Sequence, residues 1–189
     1  MRKLIVFNHV SLDGYFTDSK SDMSFAHNPI PDAEWDSFVS RNAGSGGTLV
    51  FGRITYEMMA GYWPTPMAAE QMPDIAERMN NLPKVVFSRT LNDVTWQNTK
   101  LIKGNMVDEV RRMKKADGTD MVILGSGSIV SQLAQAGLID EYQFVLDPVA
   151  LGSGRTMFDG VNKKLPMKLK KSQTFSNGNI LLCYEPLTG

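Results

Sequence analysis

Four short runs, "KLIVFNHV", "TLVF", "KVVFS" and "DMVILG", are nearly continuous in apolar and β-branched residues, and a helix-like pattern separates each from the next. Continuous apolar runs of this length suit strands buried on both faces, which is the condition of a parallel sheet covered by helices. The separating patterns are "DAEWDSFVSRNAG", with Trp35, Phe38 and Val39 on one face and Gly44 past its end, then "RITYEMMAG", which Gly61 can close, and "PDIAERMNN", with Pro73 at its first position. "MVDEVRRMKKA" follows with Asn105 as its cap, and then "SIVSQLAQAG", closed by Gly137. "VTWQ" and "TKLI" read as short strands, and "YWPTPMAAEQ" as irregular. The last quarter changes character. "LIDEYQFVLDPV", "MKLKKSQTFS" and "NILLCYE" are strand-like, and "SNG" suits a hairpin turn between the last two. The expected fold is therefore α/β: a mostly parallel twisted sheet, helices on both faces and an antiparallel C-terminal hairpin.

The chain's 189 residues suit a single domain, residues 1–189, that buries roughly 70% of the surface its unfolded chain exposes. Lys plus Arg and Asp plus Glu both total 20, so no global field draws the protein to nucleic acid or to a membrane surface. The one basic set, Lys163, Lys164, Lys168, Lys170 and Lys171, reads as a solvated face or a protected strand edge. A single cysteine, Cys183, excludes an intrachain disulfide and a paired-cysteine zinc site, and with two distant histidines no metal is expected. Cys183 lies in a strand-like run and reads as a small core residue. No run approaches the roughly 20 apolar residues of a membrane span, and the N-terminus lacks the pattern of a secretion signal, so a cytoplasmic protein is expected.

Three segments bear on ligands. "VILGSGS" ends a buried strand and opens a helix, and Gly125, Ser126, Gly127 and Ser128 bring backbone amides and hydroxyls to a helix N-terminus, a setting that favours phosphate. No Lys-Ser or Lys-Thr follows, so this is no P-loop, and the third glycine of a Rossmann fingerprint is replaced by Val130. A plain turn that binds nothing is the alternative. "VFGRITYE" repeats the arrangement with Gly52, Arg53 and Thr55, and two such turns suit two linked phosphates. "VVFSRTL" sets Ser88 and Arg89 just past a strand end, where they suit either a further phosphate, such as the 2′-phosphate that separates NADP from NAD, or an ordinary polar loop.

In order along the chain, "SLDGYF", "FGRITYEMMAGYWP", "VVFSRTL", "VILGSGSIVSQLAQAGLIDEY" and "DPVALGSGRTMF" resemble the dihydrofolate reductase-like family, and most closely the branch of the C-terminal reductase domain of bacterial riboflavin biosynthesis proteins. The resemblance runs from about Lys3 to Glu185. It implies a dihydrofolate reductase-like fold and an oxidoreductase that uses NADPH to reduce a small heterocycle, a pterin or a pyrimidine. It implies that Gly52, Arg53 and Thr55 hold the pyrophosphate on one side and Gly125 to Ser128 on the other. Ser88 and Arg89 would meet the 2′-phosphate, and the nicotinamide would lie near Val10. The family's deaminase partner domain carries zinc-binding motifs that this sequence lacks. Dihydrofolate reductases place a carboxylate at the start of the helix after the first loop, and here that position falls near Trp35, between Glu34 and Asp36. Asp13 in "SLDG" is the candidate catalytic carboxylate, or else a turn-forming residue before Gly14. His27, Trp35 and Asp147 are candidates for substrate contact. Tyr62 and Trp63 form either a stacking wall or a packing or dimer contact. Proteins of this branch are often homodimers, so a homodimer through the C-terminal strands is expected. Two rival functions stay open: a nucleotide- or pterin-binding module without turnover, and a site for another nucleotide such as ATP.

Overall fold

The computed structural model describes residues 1–43 and 46–187. Gly44, expected just past the first helix, lies outside the described residues. Along the chain come β1 (Leu4–Ser11), β2 (Tyr15–Asp18), α1 (Ala33–Ala43), β3 (Thr48–Gly52), α2 (Arg53–Tyr62), α3 (Pro66–Gln71), α4 (Pro73–Asn81) and β4 (Lys84–Phe87). They are followed by β5 (Thr99–Ile102), α5 (Met106–Lys115), β6 (Met121–Leu124), α6 (Gly127–Gln135), β7 (Glu141–Asp147), β8 (Gly154–Thr156), β9 (Met167–Thr174) and β10 (Ile180–Pro186).

Eight strands form one sheet in the order β5-β4-β3-β6-β1-β7-β10-β9. The six from β5 to β7 run parallel, and β10 pairs antiparallel with both β7 and β9. This is the dihydrofolate reductase-like sheet with its C-terminal hairpin. Alternation along each strand sends side chains to two layers. Val50 joins Leu4, Val6 and Ile123 beneath α5 and α6, where Val110, Ile129 and Leu133 close the layer. Its neighbours Leu49 and Phe51 face the other way, against Tyr56 of α2 and Met79 of α4. Further along that second face, Phe38 of α1 covers Val145, Leu181 and Cys183. Cys183 is thus the core residue its run suggests. Edge strand β9 exposes Lys168, Lys170 and Lys171, charges that discourage another sheet from pairing there.

Three local expectations change, and one segment between the first strand and the first helix gains a strand of its own. The connection over 11–31 contains β2, which pairs with β8 as a small antiparallel ribbon. Neither strand has apolar alternation of its own, and pairing across some 140 residues is invisible to a local pattern. "YWPTPMAAEQ" contains helix α3, capped by the Thr65 hydroxyl, which accepts from Ala68 N with Pro66 at the first turn. That Thr-Pro start was a readable cap. "VTWQ" is not a strand: the Tyr56 hydroxyl accepts the amides of Thr95 and Trp96, both at 3.1 Å, and the Trp96 indole turns into the core to reach Asn80. Gly61 lies inside α2 and does not end it. Gly137, in contrast, ends α6 with φ +65°.

Lys84 is fully buried at the start of β4. Its ammonium donates to the carbonyls of Asn80, Leu82 and Gln97 at 2.9, 2.7 and 3.1 Å, and it lies 4.4 Å from the Trp96 ring centre. Burial pushes the ammonium down to about 8, and the three carbonyls and the ring compensate for lost water. Lys84→Met strands three buried acceptors and is expected to cost about 2–4 kcal/mol, read as a lower urea midpoint with an unchanged slope.

Candidate active site at the C-terminal edge of the sheet

Because β4, β3, β6, β1 and β7 are parallel, their C-terminal ends line one edge. The register sets Gly52 beside Phe87, Phe7 beside Leu124, and Ser11 beside Asp147. Ligands of open α/β sheets bind along such an edge.

At its centre, two helix mouths are tied together. Ser126 takes a left-handed conformation, φ +61° and ψ +59°, and turns its side chain sideways instead of over its own helix. Its hydroxyl donates to Thr55 Oγ1 at 2.9 Å and accepts from Gly52 N at 2.8 Å. Gly125, at φ +60°, is required by contact as well as by backbone: a Cβ there would stand 2.9 Å from Thr55 Oγ1. Gly127 lies under the Phe16 ring, which a Cβ would meet at 2.6 Å, so β2 packs on the mouth of α6. Asn8, nearly fully buried in β1, accepts from Gly125 N at 2.6 Å and donates to Met157 Sδ at 3.2 Å. Sequence reasoning passed over Asn8, although a polar residue inside "LIVFNHV" was the available signal.

The first-turn amides of α2 and α6 receive no oxygen from their own N-cap side chains. At three other helices side chains cover the amides, whereas α4, whose N-cap Met72 makes no side-chain cap, opens on Pro73, which has no amide to offer. Asp32 Oδ1 accepts from Glu34 N and Trp35 N at α1, Thr65 caps α3, and Asn105 Oδ1 accepts from Val107 N and Asp108 N at α5. The two mouths that face each other are therefore left able to donate to an anion. Ser128 is exposed at the rim of α6.

Next along the edge, Ser88 is buried and its hydroxyl accepts from Thr90 N and Leu91 N at 3.2 and 3.0 Å, shaping the turn. That turn presents Arg89 in solvent, with no ion pair among the described residues. Arg53 also lies at the surface, where its guanidinium pairs with Glu57 at 2.9 Å, one turn on. Exposed pairs of this kind are worth little and exchange readily for a better anion.

On the other side of the edge, Val10 is half-buried and pairs with Leu146. His9 and Asp147 meet there: Nδ1 lies 2.9 Å from Oδ2, with Asp147 only 1% exposed. Trp35 stands edge-on to the His9 ring at 5.8 Å and to Phe175 at 5.1 Å. Trp35 and Asp147 are thus brought together by His9, a residue that sequence reasoning did not select.

Three candidates take other places. Asp13 is exposed and holds two loops together, accepting from the Ser11 hydroxyl at 2.7 Å and from Leu151 N and Gly152 N at 3.1 and 2.7 Å. The Ser11 hydroxyl and the Leu151 amide lead in lowering its carboxyl to about 2, which makes it a poor proton donor at neutral pH. The turn-forming role fits it. His27 is exposed after a single 3-10 turn, with Asp22 nearby. Trp63 is at the far end of α2, about 15 Å along a ten-residue helix from the strand ends. Its indole donates to Met59 Sδ, and its carbonyl accepts from Asn80, so the packing reading holds. An opening of about 630 Å³ lies at the opposite edge beside Arg2, Lys84 and Trp96 and includes none of these residues. Among the described residues no cluster of three or more His, Cys, Asp or Glu is placed to hold a metal, and no helix is long and apolar enough to cross a membrane.

Sequence and fold place the chain in a known family. Residues 2–181 match the RibD C-terminal domain, and the chain belongs to that family of reductase domains. The uncharacterized protein YyaP of Bacillus subtilis (strain 168) is 27% identical over 183 residues, 97% of this chain and 94% of YyaP. A protein from Shewanella sp. PV-4 assigned to riboflavin biosynthesis superposes with a TM-score of 0.78 at 25% identity, over 98% of this chain and 99% of that one. The deaminase/5-amino-6-(5-phosphoribosylamino)uracil reductase of Thermotoga maritima shares the fold at a TM-score of 0.67 and 14% identity; the match covers 98% of this chain and 56% of that longer one.

Gly125→Ala combines a left-handed backbone with a clash on Thr55 and is expected to cost about 2 kcal/mol, read by thermal unfolding. Asp32 yields a pH prediction. The Trp35 amide and then the Ser176 hydroxyl lower its carboxyl from 3.8 to about 2. Its stabilising contribution is therefore present above pH 3.8 and is lost as pH falls toward 2. Asp32→Asn is expected to flatten that part of the acid unfolding curve.

Proposed function

We propose that this protein is an NADPH-dependent reductase of a small heterocycle of the pyrimidine or pterin class. The observation that carries the reading is the 2.9 Å contact between Thr55 and Ser126, which sets two uncapped helix mouths side by side on one strand edge. Paired anionic groups are what such a pair of mouths would hold, and the donor set fits a dinucleotide's pyrophosphate. Amides of the first turns of α2 and α6, with the Thr55 and Ser128 hydroxyls, would bind the diphosphate. Arg89, free in solvent beside the next strand end, would take the 2′-phosphate, and Ser88 would shape the turn that presents it. Val10 would border the nicotinamide. When bound, NADPH supplies two electrons and a hydrogen at the nicotinamide. The chain's residues would orient the substrate beside it, exclude water and deliver a proton to the atom next to the reduced carbon.

Membership in a reductase-domain family and the likeness to a riboflavin biosynthesis protein support a pyrimidine substrate. A second reading, a binding module without turnover, draws on Asp13 and Asp32: both carboxylates are lowered to about 2 by hydrogen bonds that hold chain segments together. Loss of NADPH absorbance that depends on an added pyrimidine or pterin separates the two, and tight binding with no loss across a panel would favour the module.

The cofactor assignment has its own test. NADPH is expected to raise the melting temperature more than NADH at equal concentration. Arg89→Ala is expected to weaken NADPH about tenfold or more, the loss of a charge-assisted contact worth about 1.5–3 kcal/mol, with NADH unaffected. Equal shifts for the two nucleotides in the unsubstituted protein would remove the 2′-phosphate assignment.

A further inference from the structure

Asp147 Oδ1, Asn177 Nδ2 and Asn179 Nδ2 are the three buried side-chain polar atoms without a hydrogen-bond partner among the described residues. All three belong to one corner. Asp147 ends β7, and Asn177 and Asn179 form the turn that leads into β10, the neighbour of β7. Gly178 between them lies against Pro148, since a Cβ there would meet Pro148 Cγ at 3.2 Å. Folded proteins rarely leave such atoms unpaired, and here three fall in one corner.

His9 links this corner to the cleft. Its Nδ1 is held by Asp147 Oδ2, and its ring is fixed edge-on between Phe7 at 6.0 Å and Trp35 at 5.8 Å. The opposite ring nitrogen, Nε2, makes no hydrogen bond within the protein and is not sealed, the side chain being 18% exposed. Among the described residues, Asp147 is the charged group in contact with the ring. Asp32, three residues before Trp35, is engaged with Ser176 and Asn177. The carboxylate holds Nδ1 from behind and so fixes the ring with Nε2 facing outward. His9 neighbours Val10 on β1, where the reductase reading puts the nicotinamide.

Resting on that reading, we propose that His9 is the proton donor to the substrate and Asp147 its positioning residue. The substrate carries a C=X bond, X being nitrogen or oxygen, in or attached to a flat heterocycle, and presents X to Nε2–H. As the π bond breaks, the carbon takes a hydrogen and two electrons from NADPH. X takes the proton of Nε2, and His9 is left neutral; water restores its proton at the exposed ring edge.

The test uses the full chain, isotopically labelled at its two histidines, with His27→Gln to assign the signals. The chain is saturated with NADP+ and titrated with 5-amino-6-(5-phosphoribosylamino)uracil. The His9 Nε2 resonance is expected to move while that of His27 stays. If NADP+ binds and Nε2 does not respond, the role of His9 is overturned and the reductase reading stands; if NADP+ does not bind, the reductase reading fails and this proposal with it. Neutral His9 is expected to hold its proton on Nδ1 in the natural protein and to become a tautomer mixture in Asp147→Ala; an unchanged tautomer overturns the part of Asp147. With NADPH and the same uracil, His9→Gln is expected to lower turnover about 100-fold while NADPH affinity stays within about twofold. Added imidazole should restore part of the rate to His9→Gly. Equal rates in His9→Gln and the natural protein overturn the proposal by a route that does not depend on how either variant folds.

Discussion

The parallel register of β3 and β6 is the constraint on which the rest of the structure depends. It ends both strands at the same height, so the two helices that follow begin side by side and one serine can bridge them. Ser126 can make that bridge because Gly125 and Ser126 both adopt left-handed backbone, which turns the hydroxyl toward Thr55 and Gly52 and away from its own helix. The consequence is electrostatic. Two positive helix ends converge, and neither is neutralised by its own cap. Such an arrangement carries its own repulsion, which a bound anion relieves.

Around this knot the molecule separates structural polar groups from available ones. Lys84, Asp13 and Asp32 all lie near places where a sequence reader looks for chemistry, and all three are engaged in holding chain segments together. Lys84 clips the end of α4 to the start of β5, Asp13 clips the first loop to the segment after β7, and Asp32 clips α1 to the C-terminal hairpin. Arg89, His9 Nε2 and the open amides of α2 and α6 remain without such duties. The distinction follows from hydrogen-bond satisfaction rather than residue type.

The pair formed by His9 and Asp147 illustrates how site and fold share residues. Both project to the face covered by α1, in the same layer as Val145 and Phe38, so the ring that meets solvent at one edge is held in an aromatic cluster at the other. A hydrogen-bonded pair packed against aromatic rings on one side is held in one orientation.

Read alone, the chain determined the alternation of strands and helices, the antiparallel end, the Asn105 cap, the Gly137 stop and the two glycine-bearing turns, because each rests on contacts or backbone preferences within a few residues. It also carried, unread, the signal of Asn8 and His9 as polar residues inside an apolar strand. What only the tertiary structure decided was partnership across the chain: β2 with β8, Ser126 with Thr55, Asp147 with His9, and the engagement of Asp13 by Leu151 and Gly152. These depend on which strand ends lie beside each other in the sheet. Strand order is set by packing of whole layers, a property that no local stretch of residues records.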